Sequence, residues 1–174
     1  MRTASVKVAL KEKIQFLNAL QQAGLQLDEA FSQHDRIFKS ENKNIKLIIR
    51  TDMKPNSEPV YYIVYREYCA NGTTLNYVAK VIDYEQIVRI VHGLGYKLIA
   101  EVNKERQMVQ ITDMIALSFD KVKDLGEYIK LERAVNKDDD LNWIRADLAE
   151  ALKTLGINEN AKLIGSYSEL LAKK

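Results

Sequence analysis

The stretch of sequence that decides the fold is residues 120–132, which read DKVKDLGEYIKLE. Side chains alternate between the two faces of a β-strand. Read as a strand, the second half of this stretch places Tyr128, Lys130 and Glu132 on one face and two aliphatic side chains on the other. The neighbouring segments predict that the charged face is enclosed by other strands.

The composition is that of an ordinary water-soluble globular domain. The chain has 174 residues, 47% of them hydrophobic and 29% charged, and we expect a single domain over residues 1–174. A net charge of +2 does not favour a nucleic-acid or membrane partner. Cys69 is the single cysteine, so no internal disulfide is expected, and neither a signal peptide nor a membrane span is indicated. We therefore expect a cytoplasmic protein.

The hydrophobic periodicity predicts the order strand, helix, strands, and then repeats that order. Apolar residues alternate with period two in the predicted strands, which are residues 3–10, 45–51, 59–68, 74–82, 96–102, 107–111, 115–119 and 127–133. A turn at Asn71 and Gly72 joins two of these strands as a hairpin. Helical periodicity predicts helices that end at Gly24, Gly95 and near Leu155, and a short terminal helix that begins at Ser166.

This pattern favours a closed sheet. Strands with one apolar face beneath helices and one polar face turned inward would leave exposed edges in an open sheet, whereas a barrel has no edges. The predicted fold class is α+β. We expect a closed antiparallel β-barrel built from two strand-helix-strand halves, with the helices packed outside.

Residues 120–132 resemble a hallmark of the CYTH superfamily, D-x-V-x-x-L-G-[DE]-[FY]-x-E-x-E. This superfamily includes the class IV adenylate cyclases and the thiamine triphosphatases. The resemblance implies that the barrel encloses a triphosphate-binding tunnel. It extends to Gln33, Asp35 and Phe38 after the first helix, to Leu94-Gly95-Tyr96, and to the ending Ser166-Tyr-Ser-Glu-Leu-Leu171, which is similar to the close of the class IV adenylate cyclases.

Compared with the family motifs, this chain keeps most of the basic residues and lacks several of the acidic ones. Thr3, Ser5, Tyr77 and Lys130 stand where the family carries metal-binding acids, and Leu75 stands where it carries an arginine. Asp120 and Glu132 are the acids that remain as candidate metal ligands. The implied phosphate-binding residues are Lys7, Arg50, Arg66, Lys104, Arg106 and Lys130.

These residues point to a phosphorylated small molecule, a nucleotide or polyphosphate, bound without metal-dependent catalysis. Magnesium prefers carboxylate oxygens, and an ammonium group at Lys130 would repel it. Guanidinium and ammonium groups remain suited to phosphate. His34 and His92 are too scattered for a metal site, and Cys69 lacks the surroundings of a nucleophile.

Two alternatives remain open. One is a diverged adenylate cyclase or triphosphatase that uses Mg or Mn, with Asp120 and Glu132 supplemented by acids such as Glu12 or Glu101. The other is a non-catalytic scaffold whose tunnel is filled by its own side chains and whose surface binds a protein. The ligand, the oligomeric state and the openness of the tunnel are not determined by the sequence.

Overall fold

A computed structural model describes residues 2–41, 45–69, 74–136, 138–157 and 165–173. The predicted turn at Asn71 and Gly72 lies outside these residues. The strands are β1 (Arg2–Ala9), β2 (Phe31–Lys39), β3 (Ile45–Met53), β4 (Val60–Tyr68), β5 (Thr74–Val81), β6 (Lys97–Gln110), β7 (Ile115–Val122) and β8 (Gly126–Ala134). The helices are α1 (Lys13–Gln22), α2 (Tyr84–Gly93), α3 (Leu141–Thr154) and α4 (Tyr167–Leu171).

The eight strands close into an antiparallel barrel in the order β1-β5-β4-β3-β2-β6-β7-β8. The two halves of the chain, β1α1β2β3β4 and β5α2β6β7β8, have the same layout. The first strand of each half pairs with the last strand of the other, β1 with β8 and β5 with β4. The β1–β5 and β2–β6 pairs join the halves. The predicted barrel of two similar halves is confirmed.

The helices α1, α2 and α3 cover the outside of the barrel. Phe16 of α1 and Ile144 and Leu148 of α3 are buried in one core cluster with the outward side chains of β1, β7 and β8, such as Leu131. Val91 of α2 lies in a second cluster over β2 and β3. Burying these apolar faces is the main force that holds the helices against the sheet. Among the described residues, no helix is long and apolar enough to cross a membrane.

The fourth helix differs from the other three because it closes one end of the barrel. Tyr167 of α4 is buried in a third cluster, together with inward-facing residues such as Ile48 and Tyr128. The helix begins with a capping box in which Ser166 and Glu169 satisfy each other's backbone N–H groups. We call this the capped end of the barrel, and it is the end at which β1, β2, β4 and β7 finish.

Two strand predictions were wrong. The strand β2 was not predicted, because its inward positions include Gln33 and Asp35 and so the apolar alternation is lost. Residues 96–102 and 107–111 were predicted as two strands but belong to the single 14-residue strand β6. Its first part pairs with β2 and its second part with β7. The polar middle of the strand is therefore hydrogen-bonded to a neighbouring strand on each side. The third helix begins at Leu141, after the N-cap Asp140.

Candidate functional site

The interior of the barrel carries an unusual concentration of charge. Seven basic side chains on the inward-facing positions are buried or nearly buried: Lys7, Lys46, Arg50, Arg66, Lys104, Arg106 and Lys130. The carboxylates that face them from the described strands are Asp35, Asp120 and Glu132, with Asp52 half-buried at the rim. The structure therefore brings together all six of the predicted phosphate-binding residues and adds Lys46.

The first carboxylate, Asp35, is held by two cations. Arg50 donates to it through Nε and Nη2, at 2.7 and 3.2 Å, and Lys104 Nζ donates at 2.6 Å. Burial by itself would raise the pKa of Asp35, but Arg50 and Lys104 outweigh burial and hold that pKa well below its ordinary value. Asp35 is therefore a permanent anion.

The second carboxylate, Asp120, is fully buried. Arg106 donates two hydrogen bonds to it, Nε at 2.6 Å and Nη2 at 2.7 Å, and the hydroxyl of Tyr167 donates a third at 2.7 Å. Burial would raise the pKa of Asp120, but Arg106 holds it below the ordinary value. Two-pronged pairing of arginine with carboxylate is the strongest form of this interaction.

The third carboxylate, Glu132, lies toward the other end of the barrel and is 21% exposed. It accepts hydrogen bonds from Lys130 Nζ at 2.6 Å and from Thr3 Oγ1 at 2.8 Å. Burial opposes ionisation, yet Lys130 and Thr3 lower the pKa of Glu132 to about 2. Asn76 bridges this group to the next cation, because its Oδ1 accepts from Arg66 Nε at 2.8 Å.

Two pairs of cations face each other directly across neighbouring strands. Lys7 of β1 lies opposite Lys130 of β8, and Lys46 of β3 lies opposite Arg66 of β4. Like charges in directly opposite positions destabilise a sheet. Lys7 has no carboxylate within 4 Å among the described residues.

The contacts that Lys7 does make are with neutral groups. Its Nζ donates to the backbone oxygen of Gly165 at 2.9 Å and lies 4.3 Å from the centre of the Tyr167 ring. Burial, together with Arg66, Lys130 and Lys104, lowers the pKa of Lys7 well below its ordinary value. Lys7 is therefore a buried amine that lacks a matching anion.

The carboxylates do not fit a metal ion. Magnesium needs free oxygen ligands in near-octahedral order. The oxygens of Asp120 and Glu132 already accept hydrogen bonds from Arg106 and Lys130, whose positive charges would repel a metal ion bound to these oxygens. In the described part of the chain, no three residues of the types His, Cys, Asp or Glu lie close enough to hold a metal ion.

Two expectations about barrel-facing residues were wrong. Tyr77 is 44% exposed and packs on Tyr65 outside the barrel, and Leu75 belongs to the outer core. The reason is the register of β5, in which Asn76 lies opposite the inward-facing Arg66. The inward neighbour of Thr3 is therefore Asn76.

The two supplementary acids of the enzyme alternative also lie outside the barrel. Glu12 is the exposed N-cap of α1. Glu101 points outward from β6, where it lies 3.2 Å from Arg36 Nε. Neither can join Asp120 and Glu132.

The sequence interpretation missed three members of the site, namely Asp35 as a charge partner, Lys46 and Asn76. Lys46 is two residues before Ile48 and four before Arg50, so strand alternation alone was a sufficient signal for it. Asn76 was missed because a resemblance between single positions does not fix strand register. No sequence signal pairs Asp35 with Lys104, which lies 69 residues away in the chain.

An eight-stranded closed barrel lined by cations is the architecture that the sequence resemblance implied. Compared with known families, the chain matches the CYTH domain over residues 1–167. This protein belongs to the CYTH domain family. The match covers nearly all of the chain.

This CYTH domain is distant in sequence from its relatives, and two solved structures share its fold. "Putative adenylate cyclase MJ0240" of Methanocaldococcus jannaschii is 21% identical, with 98% of each chain covered. The PH1819 protein of Pyrococcus horikoshii superposes with a TM-score of 0.82 at 19% identity, again over 98% of each chain. HpAC1 of Hippeastrum, an adenylyl cyclase candidate described as having a dominant triphosphatase activity, superposes with a TM-score of 0.64 at 14% identity, over 100% of this chain and 97% of that one.

Proposed function

We propose that this CYTH domain binds a triphosphate, nucleotide or polyphosphate inside its barrel and does so without metal-dependent catalysis. The residues that carry the proposal are Lys7, Arg50, Arg66, Lys104, Arg106 and Lys130. The observation behind it is the excess of buried cations, and above all the pair formed by Lys7 and Lys130 on opposite strands.

An anion is the natural partner of such a cluster of buried cations. Each buried charge costs several kcal/mol in the absence of a partner, so the excess of buried cations is destabilising and a bound anion would relieve the penalty. A polyphosphate carries several charges in a row, which suits cations distributed over several strands. Lys7 and Arg66 have no carboxylate partner among the described residues, so we expect them to contact the ligand first.

The remaining four cations would bind the ligand from positions that are already fixed. Arg50, Lys104, Arg106 and Lys130 are each paired with a carboxylate, and these pairs hold their positions. Cations that are positioned in advance bind an anion with a smaller entropic cost.

The same pairs argue against phosphoryl or nucleotidyl transfer. In that chemistry the protein contributes positioning and cations, usually metal ions, which neutralise the developing charge. Here the acids that could recruit a metal are neutralised by Arg106 and Lys130. We therefore propose binding without turnover.

A diverged enzyme is the second candidate, and the relatives favour it. One relative is named "Putative adenylate cyclase MJ0240", and HpAC1, an adenylyl cyclase candidate, is described as having a dominant triphosphatase activity. The two functions differ in what happens to the ligand in the presence of metal, and one screen separates them.

The test is a thermal-shift screen of the intact protein with tripolyphosphate, ATP, thiamine triphosphate and cyclic AMP, each with and without magnesium or manganese. A ligand that binds only the folded state raises its melting temperature, by an amount that follows from RT ln(1 + [L]/Kd). We expect tripolyphosphate or a nucleoside triphosphate to raise Tm equally well without metal. A rise seen only with metal would favour the enzyme, and no rise with any ligand would overturn the binding proposal and favour the scaffold.

A further inference from the structure

The short helix α4 reaches one of the interior cations with a carboxylate. Lys46 Nζ donates to Glu169 Oε1 at 2.8 Å and to the hydroxyls of Ser166 and Ser168, at 3.0 and 3.4 Å. Lys46 is buried, whereas Glu169 is 54% exposed. The oxygens of α4 therefore surround the ammonium group at the capped end of the barrel.

The capped end of the barrel has more buried cations than nearby carboxylates. Lys7, Lys46 and Arg66 are buried cations, and Lys46 and Arg66 lie opposite each other on β3 and β4. Among the described residues, the one carboxylate within 4 Å of any of the three is Glu169. The other two cations donate to neutral oxygens instead. Arg66 donates to the side-chain oxygen of Asn76, and Lys7 donates to the backbone oxygen of Gly165.

We infer that the segment of residues 165–171 is a built-in competitor for the anion. The carboxylate of Glu169 occupies an anion subsite at Lys46, and a polyphosphate that reaches Lys46 has to displace it. Displacement removes the ion pair that fixes α4 to the barrel wall, so binding in the tunnel loosens the C-terminal helix. This inference rests on the proposed function, because it requires an anion in the tunnel.

The helix is suited to such a response. It has only five residues, and a helix of this length depends on its contacts for stability. Tyr167 stays anchored by its hydrogen bond to Asp120 at 2.7 Å, so the segment can loosen at Glu169 without leaving the barrel. Because Glu169 is 54% exposed, water can solvate its carboxylate once the ion pair with Lys46 is broken.

The first experiment measures tripolyphosphate binding by calorimetry, without metal, to the parent and to Glu169→Gln. Glutamine keeps the shape and the capping-box hydrogen bond but removes the competing charge. A partly exposed ion pair is weak, so we expect Kd to fall by about two- to fivefold. The matched control is Glu150→Gln, which removes the same charge from the exposed face of α3 and should leave Kd unchanged. Lys46→Met should weaken binding.

The second experiment uses the parent alone. Amide hydrogen exchange at Leu170 and Ala172, whose N–H groups donate to Ser166 O and Ser168 O, should become faster when tripolyphosphate is added. Unchanged or slower exchange at these amides would overturn the inference that Glu169 competes with the anion. A Glu169→Gln variant that binds tripolyphosphate no more tightly than the parent would do the same. Either result would leave the binding function intact. No binding to the parent or to either charge variant would overturn the proposed function itself.

Discussion

Replacing Lys7 by methionine gives the sharpest test of the buried cation excess, because methionine keeps a flexible apolar side chain of similar length and removes the ammonium group. Lys7 is 8% exposed and has no carboxylate within 4 Å among the described residues. The effective cost of one such buried ion is several kcal/mol. Its removal should therefore stabilise the ligand-free protein, in contrast to most core substitutions.

The contacts that Lys7 makes reduce this gain. Loss of the hydrogen bond to Gly165 O costs about 1 kcal/mol. Loss of the contact with the Tyr167 ring costs about 1–2 kcal/mol. A net gain of about 1–2 kcal/mol remains, which corresponds to a rise in Tm of about 2–8 °C for a domain of this size.

The same variant should lose its ligand. Truncating one partner of a buried charged contact costs about 2–5 kcal/mol, so the Kd for tripolyphosphate should rise by about 30-fold or more. Calorimetric unfolding without ligand and titration calorimetry with tripolyphosphate measure the two effects. Lys11→Met, at an exposed position, is the control and should change neither quantity. A Lys7→Met protein that melts earlier and binds tripolyphosphate like the parent would refute the reasoning.

Four further predictions follow from the paired charges. Burial, opposed by Asp35 and Glu132 respectively, lowers the pKa of Lys104 and of Lys130 to about 8, so tripolyphosphate affinity measured by calorimetry should fall as the pH rises through about 8. Because the unfolded chain holds these protons up to the ordinary value of 10.5, the contribution of the two lysines to ligand-free stability should rise between pH 8 and 10.5. Asp120→Asn should leave the buried guanidinium of Arg106 without its counter-ion and cost about 3–5 kcal/mol of stability in denaturant unfolding. With ATP or tripolyphosphate and magnesium or manganese, the protein should release no more cyclic AMP or phosphate than Lys130→Ala does.

Each of these predictions has an outcome that contradicts it, and for the stability of the ligand-free protein that outcome is no rise between pH 8 and 10.5. An affinity that stays constant to pH 10 would mean that the two lysines do not contact the anion. An Asp120→Asn variant no less stable than the exposed control Asp113→Asn would mean that Asp120 is not needed as a counter-ion. Robust metal-dependent turnover would establish the enzyme alternative and require a metal site that the described carboxylates do not form.

The sequence by itself determined the class of fold and the inward direction of most of the cations. Strand alternation places Tyr128, Lys130 and Glu132 on one face whatever the partner strands are, because the period of two is a local property of the backbone. The repeated order of strands and helices, with apolar faces beneath helices, then required a closed sheet. The shared face depends on neighbours in the chain, and the closed sheet depends on burial of apolar area. The sequence pattern indicates both.

The tertiary structure decided which charges meet. Asn76 rather than Tyr77 faces Thr3, because the β4–β5 register is set by pairing between strands, and a shift of one residue reverses the direction of every side chain. Strand β2 was hidden for a related reason, since its inward Asp35 is stabilised by cations of two other strands rather than by an apolar surface. The contact of Glu169 with Lys46 joins residues 123 apart, and such a contact exists only once the barrel has closed.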